Sequence, residues 1–233
     1  PFKDDKKYFD RWQSKWRTIG YLKSYFDKIT EEIIDPNGLI NTGNDFLSMI
    51  GESYIAYRDL LFDQNRVDFS FQQRIFYDLL QVQSIAENIK AETKYLLIDE
   101  YQDTNFIQEQ IALQLSENNN NICVVGDEDQ ALYRFRGATV RNILEFESHF
   151  ENCHTIKLLD NYRSHKGIIE AYNEFISSID WTNPTGKYPF RFPDKLVRPS
   201  SLTESPEYPP VISIWTGSIR EEADRFADFA SLS

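Results

Sequence analysis

The sequence is short of cysteine and histidine and has no long apolar run, and each scarcity closes off a class of protein. Two cysteines in 233 residues cannot frame a disulfide-stapled scaffold, and neither sits in a Cys/His cluster with zinc spacing. Cys123 falls within the apolar run NICVVGD, which predicts a buried free thiol, and Cys153 stands far from any such cluster. The three histidines, His149, His154 and His165, are not spaced as metal ligands, and ordinary structural roles are expected of them. No stretch approaches the ~18 consecutive apolar residues of a membrane span. No basic segment leads into an apolar run as in a secretory signal, so no membrane partner is expected and the cytoplasm is the expected compartment. Basic residues are also in deficit: 25 Lys and Arg against 37 Asp and Glu leave a net charge of −12. That balance excludes a protein that coats nucleic acid with a broad basic face. It leaves room for a narrow groove, because Arg134, Arg136, Arg141, Lys157, Arg163 and Lys166 gather between Tyr133 and Lys166, several beside aromatics.

What the chain does have is core-forming material, 41% hydrophobic and 15% aromatic, enough for one large domain or two small ones. Residues 1–90 carry helical spacing, with Tyr54, Tyr57, Leu60 and Leu61 and then Ile75, Leu79 and Leu80 on common faces. The turn clusters DPNG at 35–38 and NTGND at 41–45 divide this region into separate helices. From Lys94 the pattern becomes strand and helix in alternation. Tyr95–Ile98 predicts a strand buried on both faces, and Asn105 with Gln108 predicts a capping box for a helix striped by Ile107, Ile111 and Leu115. ICVV at 122–125 is a second expected strand, Thr139 opens a helix through Val140, Ile143 and Leu144, and HTIKL at 154–158 is a third expected strand. Ile168, Ile169, Tyr172, Phe175 and Ile176 stripe a further helix. Residues 180–210 hold seven of the nine prolines and read as a connector, after which VISIW at 211–215 predicts a strand and Ser218 with Glu221 a second capping box. Alternation of this kind builds a parallel sheet.

The chemistry gathers where apolar runs stop. In LLIDEYQDTN the run 95–98 breaks directly into Asp99 and Glu100, with Asp103 three residues on, at the sheet edge where open α/β folds bind ligands. An Asp–Glu pair there suits magnesium and an attacking water in nucleotide hydrolysis, although two solvated charges at a strand end would read the same. VVGDEDQALYRFRGA at 124–138 repeats the arrangement: a strand ends at Gly126, followed by Asp127, Gln130, and Tyr133, Arg134, Phe135 and Arg136. An amide such as Gln130 can sense a phosphate, and aromatic and guanidinium groups next to it can stack bases and hold a backbone. Taken singly, Tyr133, Phe135 and Tyr162 could equally be core, and Arg163 could cap a helix or pair with Asp160.

LLIDEYQDTN, VVGDEDQALYRFRGA and LLDNYRS resemble, in order and spacing, motifs II, III and IV of the superfamily 1 DNA helicases of the UvrD, Rep and PcrA type. The likeness is close over 95–170, with weaker similarity at VDFSFQQ (67–73) and SIREEADRFADF (218–229). It implies an α/β fold with a parallel-sheet RecA-like core of the P-loop NTPase type, incomplete in this chain and preceded by a mainly helical region. Residues 1–90 would be the end of a helical insertion, 91–160 the second half of the first RecA-like domain, and 161–233 a linker and the start of the second. The implied cofactors are ATP and magnesium. Asp99 would bind the metal, Glu100 polarise the attacking water, Gln102 and Asp103 give polar support around those two, with Gln102 also counted among the nucleotide-binding residues, and Gln130 sense the γ-phosphate. Tyr162 would stack on adenine and Arg163 reach the γ-phosphate. Tyr133, Arg134, Phe135 and Arg136 would contact single-stranded DNA, with Phe135 standing where the family commonly has tryptophan and offering a smaller stacking face. The implied partners are single-stranded DNA and duplex junctions, with movement 3′ to 5′.

The glycine-rich loop ending in Lys-Ser/Thr that cradles β- and γ-phosphates is missing, since the one Gly-Lys pair, Gly186-Lys187, is followed by Tyr188. With Pro1 at one end and a helical pattern still running at Ser233, the expectation is a piece of a longer helicase, inactive alone, whose P-loop and C-terminal motor segments lie elsewhere in the parent. Two rivals stand beside this reading. One is a metal-dependent nuclease using Asp99, Glu100, Asp103 and Asp127. The other is a degenerate module that binds DNA or protein without catalysis.

Overall fold

The computed structural model describes residues 5–131, 139–182, 190–200 and 221, and the chain falls into two compact units, Pro1–Cys153 and His154–Ser233. The described elements are helices with two short parallel ladders.

In the first unit α1 (Asp5–Glu31), α2 (Pro36–Ile40), α3 (Asp45–Asp63), α4 (Phe69–Leu79) and α5 (Gln83–Glu92) precede the sheet. The expected turn clusters mark their starts. Asp35 caps α2 by accepting from the Asn37 N–H, and Asn44 caps α3 by accepting from Phe46 and Leu47. Aromatic spacing becomes core: Ile29, Ile50, Tyr54 and Phe71 are buried, with Phe26, Tyr57 and Leu61 packed against them. Phe26 stacks on Tyr57 with ring centroids 5.1 Å apart, and Tyr54 on Phe71 at 5.9 Å. Burying each such ring stabilises the unit by about 1.5–3 kcal/mol. The Tyr54 hydroxyl lies 3.1 Å from Thr30 Oγ1, so the polar tip of the ring is satisfied inside the core. Gly51 lets α2 lie against α3, because a Cβ there would stand 2.8 Å from the Pro36 carbonyl oxygen and 2.9 Å from Ile40 Cγ1.

β1 (Leu96–Ile98) pairs in parallel with β2 (Ile122–Val124), Leu97 opposite Cys123, and α6 (Phe106–Ser116) joins them. The Asn105–Gln108 capping box forms in both directions, and Asn105 also donates to Gln73 Oε1 of α4 at 3.0 Å. Side chains of the asparagine run hold the start of β1: Asn119 and Asn121 both donate to the Lys94 carbonyl. α7 (Arg141–Glu145) follows, running into a 3-10 turn over Phe146–His149.

Three sequence expectations are corrected here. The 95–98 strand is not buried on both faces: Leu97 is 77% exposed, and Tyr95 and Val125 are exposed on the same side. Cys123, directly beside Leu97, is likewise exposed rather than buried. An apolar run signals that both faces can be covered, but coverage requires a second layer, which the described residues do not supply at this face. Third, HTIKL forms no strand, and Ile156 and Leu158 are exposed. A strand exists only with a partner to pair. In the second unit the ladder is instead β3 (Asp160–Asn161) with β4 (Arg198–Pro199), parallel, beside α8 (Lys166–Ser177). Ile169 and Ile176 of the expected stripe are buried, and Asn173 brackets Val197 with two hydrogen bonds. The expected strand 211–215 and the Ser218 cap lie outside the described residues.

Candidate functional site

The acidic pair emerges from the end of β1. Asp99 and Glu100 are both exposed, and at Glu100 the backbone turns into the left-handed region at φ 53°, ψ 43°. A non-glycine residue held there costs on the order of 1–3 kcal/mol, a cost usually found where neighbouring groups fix the conformation. Two hydrogen bonds do so. The Glu100 N–H donates to Asp99 Oδ1 at 2.9 Å, and Gln102 Nε2 donates to Glu100 Oε2 at 2.7 Å. The next residues form a 3-10 turn, Tyr101–Asp103, pinned to the neighbouring strand end by the Tyr101 N–H donating to the Val125 carbonyl at 2.9 Å.

That turn is anchored from below by Tyr101, which is fully buried and meets Phe146 edge-on at 5.3 Å. Its hydroxyl finds no hydrogen-bond partner among the described residues, and burial together with the nearby Glu109 charge pushes its ionisation up. Glu109 itself is 6% exposed, and burial lifts its carboxyl to about 7, against the opposing pull of Arg141 and with help from Glu145. His149 Nε2 lies 3.7 Å from Glu109 Oε1. Asn142 of α7 closes the back of the site, its amide donating to the Thr104 and Asn105 carbonyls.

After β2 the second loop turns at Gly126 into Asp127 and a 3-10 turn, Glu128–Gln130. Asp127 is its hub. Oδ1 accepts from the Asp129 N–H at 3.1 Å, Oδ2 accepts from Gln130 Nε2 at 2.7 Å, and the Asp127 N–H donates to Gln102 Oε1 at 3.0 Å. Glu100, Gln102, Asp127 and Gln130 therefore form one hydrogen-bonded run across the two sheet-edge loops. Gly126 permits it: a Cβ there would stand 2.6 Å from Gln102 Oε1 and 2.7 Å from Ile143 Cδ1. Sequence reasoning named Glu100, Asp127 and Gln130 from strand-end position and Gln102 from the family resemblance. It missed the clamp by Asn142 and the burial of Glu109, for which helical spacing carries no signal.

Asp103 Oδ1 is buried with no hydrogen-bond partner among the described residues. Tyr162 and Arg163 belong to the second unit, where both are exposed and the Arg163 N–H donates to Asn161 Oδ1. Of the alternatives weighed for them, Tyr162 is not core, and Asp160 pairs with Arg198 at 2.9 Å. Tyr133, Arg134, Phe135 and Arg136 lie outside the described residues.

Among the described residues no three His, Cys, Asp or Glu side chains are grouped to hold a metal ion. The donor set still suits magnesium, which takes one or two carboxylates and completes its shell with water and phosphate oxygens. Asp99 offers such a carboxylate, exposed and with its described bond made through Oδ1 alone. Among the described residues no helix is long and apolar enough to cross a membrane.

Comparison with known proteins places these loops in a family. Residues 2–151 match the UvrD/REP helicase N-terminal domain. The chain is 39% identical over 135 residues to the ATP-dependent DNA helicase PcrA of Leuconostoc citreum, covering 58% of this chain and 18% of that protein. It is 34% identical over 168 residues to the ATP-dependent DNA helicase UvrD1 of Mycobacterium tuberculosis (strain ATCC 25618 / H37Rv), covering 67% of this chain and 22% of the relative. A probable DNA helicase II homolog of Mycoplasma capricolum subsp. capricolum is 33% identical over 177 residues, 75% of this chain and 23% of the relative. The chain spans about a fifth of the length of these curated relatives. With the domain model covering the whole helical region, both strands of the first ladder and both acidic loops, the chain belongs to the UvrD/REP helicase family.

Proposed function

We propose that this chain is a segment of an ATP-dependent DNA helicase, carrying the residues that couple magnesium-ATP hydrolysis to movement along single-stranded DNA and to duplex unwinding. The observation that carries the reading is the continuous hydrogen-bonded run from Glu100 through Gln102 and Asp127 to Gln130. It ties the carboxylate suited to polarising water to the amide suited to sensing the γ-phosphate, on a chain whose relatives are named ATP-dependent DNA helicases.

In this reading the three sequence blocks act as motifs II, III and IV of a RecA-like core. Asp99 holds the magnesium, which when bound neutralises charge on the β- and γ-phosphate oxygens. Glu100 accepts the proton of the attacking water, and its left-handed backbone fixes where that carboxylate points. Gln130 meets the γ-phosphate, and Arg163 brings positive charge to the transition state. Tyr162, 72% exposed, has a ring face free to stack on adenine. Tyr133, Arg134, Phe135 and Arg136 hold single-stranded DNA without sequence preference, each stacked base contributing ~1–3 kcal/mol. The chain contains no Lys-Ser/Thr phosphate loop, so by itself it hydrolyses no ATP. The nuclease alternative needs Asp99, Glu100, Asp103 and Asp127 around shared ions, and the described residues hold no such cluster.

The test is the longer polypeptide of which we take this chain to be a segment. It should show magnesium-dependent ATPase stimulated by single-stranded DNA, while this chain alone shows none. Appreciable turnover by the isolated chain, or DNA cleavage with magnesium and no ATP, would overturn the proposal.

A further inference from the structure

We propose that Gln102 is a positioning residue that locks the water-polarising carboxylate to the phosphate-sensing loop, and does not itself bind nucleotide. The inference rests on the functional reading above and assigns one of its residues a different task. Gln102 is 1% exposed, and both ends of its amide are engaged within the protein. Nε2 donates to Glu100 Oε2 at 2.7 Å, and Oε1 accepts from the Asp127 N–H at 3.0 Å. So enclosed, the amide spends one donor and one acceptor on two different loops, and burial keeps its remaining N–H and lone pair from a ligand.

The surroundings fix the amide in one orientation. Asp127 N–H can only donate, so the atom facing it must be the oxygen; the nitrogen then faces Glu100, which as a carboxylate can only accept. The backbone on either side is held as well, Tyr101 N–H on the Val125 carbonyl and Val125 N–H on the Ile98 carbonyl. Gly126 brings the second loop close enough for the contact, since any larger residue would collide with the Gln102 amide oxygen. Because Asp127 also grips Gln130 at 2.7 Å, a displacement of the Gln130 loop is transmitted through Gln102 to Glu100. Gln102 thus joins phosphate sensing to water polarisation, and its loss should uncouple them with nucleotide affinity preserved.

Two arms test this. On this chain, 15N-labelled, Glu100→Gln should shift the Gln102 side-chain amide and the Asp127 backbone amide in the NMR spectrum, and Gln102→Met should abolish the shift at Asp127. An unmoved Asp127 amide in Glu100→Gln would break the link whether or not any ATPase exists. In the longer polypeptide, Gln102→Met should lower kcat of DNA-stimulated ATP hydrolysis at least tenfold with KM for ATP within about twofold. Gln102→Glu keeps the volume and the acceptor for Asp127 but removes the donor to Glu100, so it should fold and lower kcat with KM for ATP within about twofold, as Gln102→Met does. A kcat within twofold of wild type in either variant, or a KM that rises in step with the fall in kcat, would overturn the positioning role. A wild-type parent with no ATPase at all would instead refute the functional reading, leaving the NMR arm to decide the contact.

Discussion

Glu109 gives the sharpest prediction that can be made on this chain alone. Its carboxyl, 6% exposed beside Tyr101, is lifted by burial from 4.5 to about 7. A carboxyl raised on folding binds its proton more tightly in the folded state, so its stabilising contribution is complete below about pH 4.5 and declines as pH rises to about 7. The full shift corresponds to roughly 3 kcal/mol at 1.36 kcal/mol per unit, and partial solvent screening together with Arg141 reduces the expectation to about 1–2 kcal/mol. Glu109→Gln removes the titration while keeping the shape. Urea unfolding at pH steps from 4.5 to 8 should show wild type losing stability relative to Glu109→Gln across this window, with the two curves parallel above it. Glu31 is also raised by burial, and because it is common to both proteins it cancels in the difference. Parallel curves from pH 4.5 upward would refute the assignment, as would a wild type that gains stability over the variant with rising pH.

Two further substitutions probe the scaffold under the site. Gly51→Ala places a methyl 2.8 Å from the Pro36 carbonyl oxygen and should cost about 1–3 kcal/mol by urea denaturation; an unchanged midpoint would show that α2 and α3 separate freely. Asn105→Ala removes the α6 cap and the bond to Gln73, and should cost about 1–2 kcal/mol in the same assay, whereas Gln73→Ala should cost less because the cap survives.

Much of the local structure was legible because it depends on neighbours in sequence. Asp35 and Asn44 cap helices where the turn clusters stand, and Asn105 with Gln108 forms its box, since each device needs only three or four residues. Exposure was not legible. The apolar letters of Leu97 and Cys123 match a buried strand, but burial depends on which other segments cover the sheet. HTIKL failed as a strand for a related reason, since its pairing partner is not encoded within it. At the site, strand-end position identified Glu100, Asp127 and Gln130 and the family resemblance Gln102, while the bond from Asp127 to Gln102 joins residues 25 apart and leaves no periodic trace. The buried Glu109 was invisible because a glutamate on a helix ordinarily reads as a solvated face.

In the proposed function the carboxylate after β1, Glu100, activates water for ATP hydrolysis in a DNA-driven motor. The most direct measurement compares Glu100→Gln with wild type in the longer polypeptide, reading ATP binding and single-stranded-DNA-stimulated turnover side by side. Glu100→Gln should retain ATP binding with turnover reduced on the order of a hundredfold or more, as follows when a group that acts in the transition state is removed. Turnover equal to wild type, with ATP bound equally well, would contradict it.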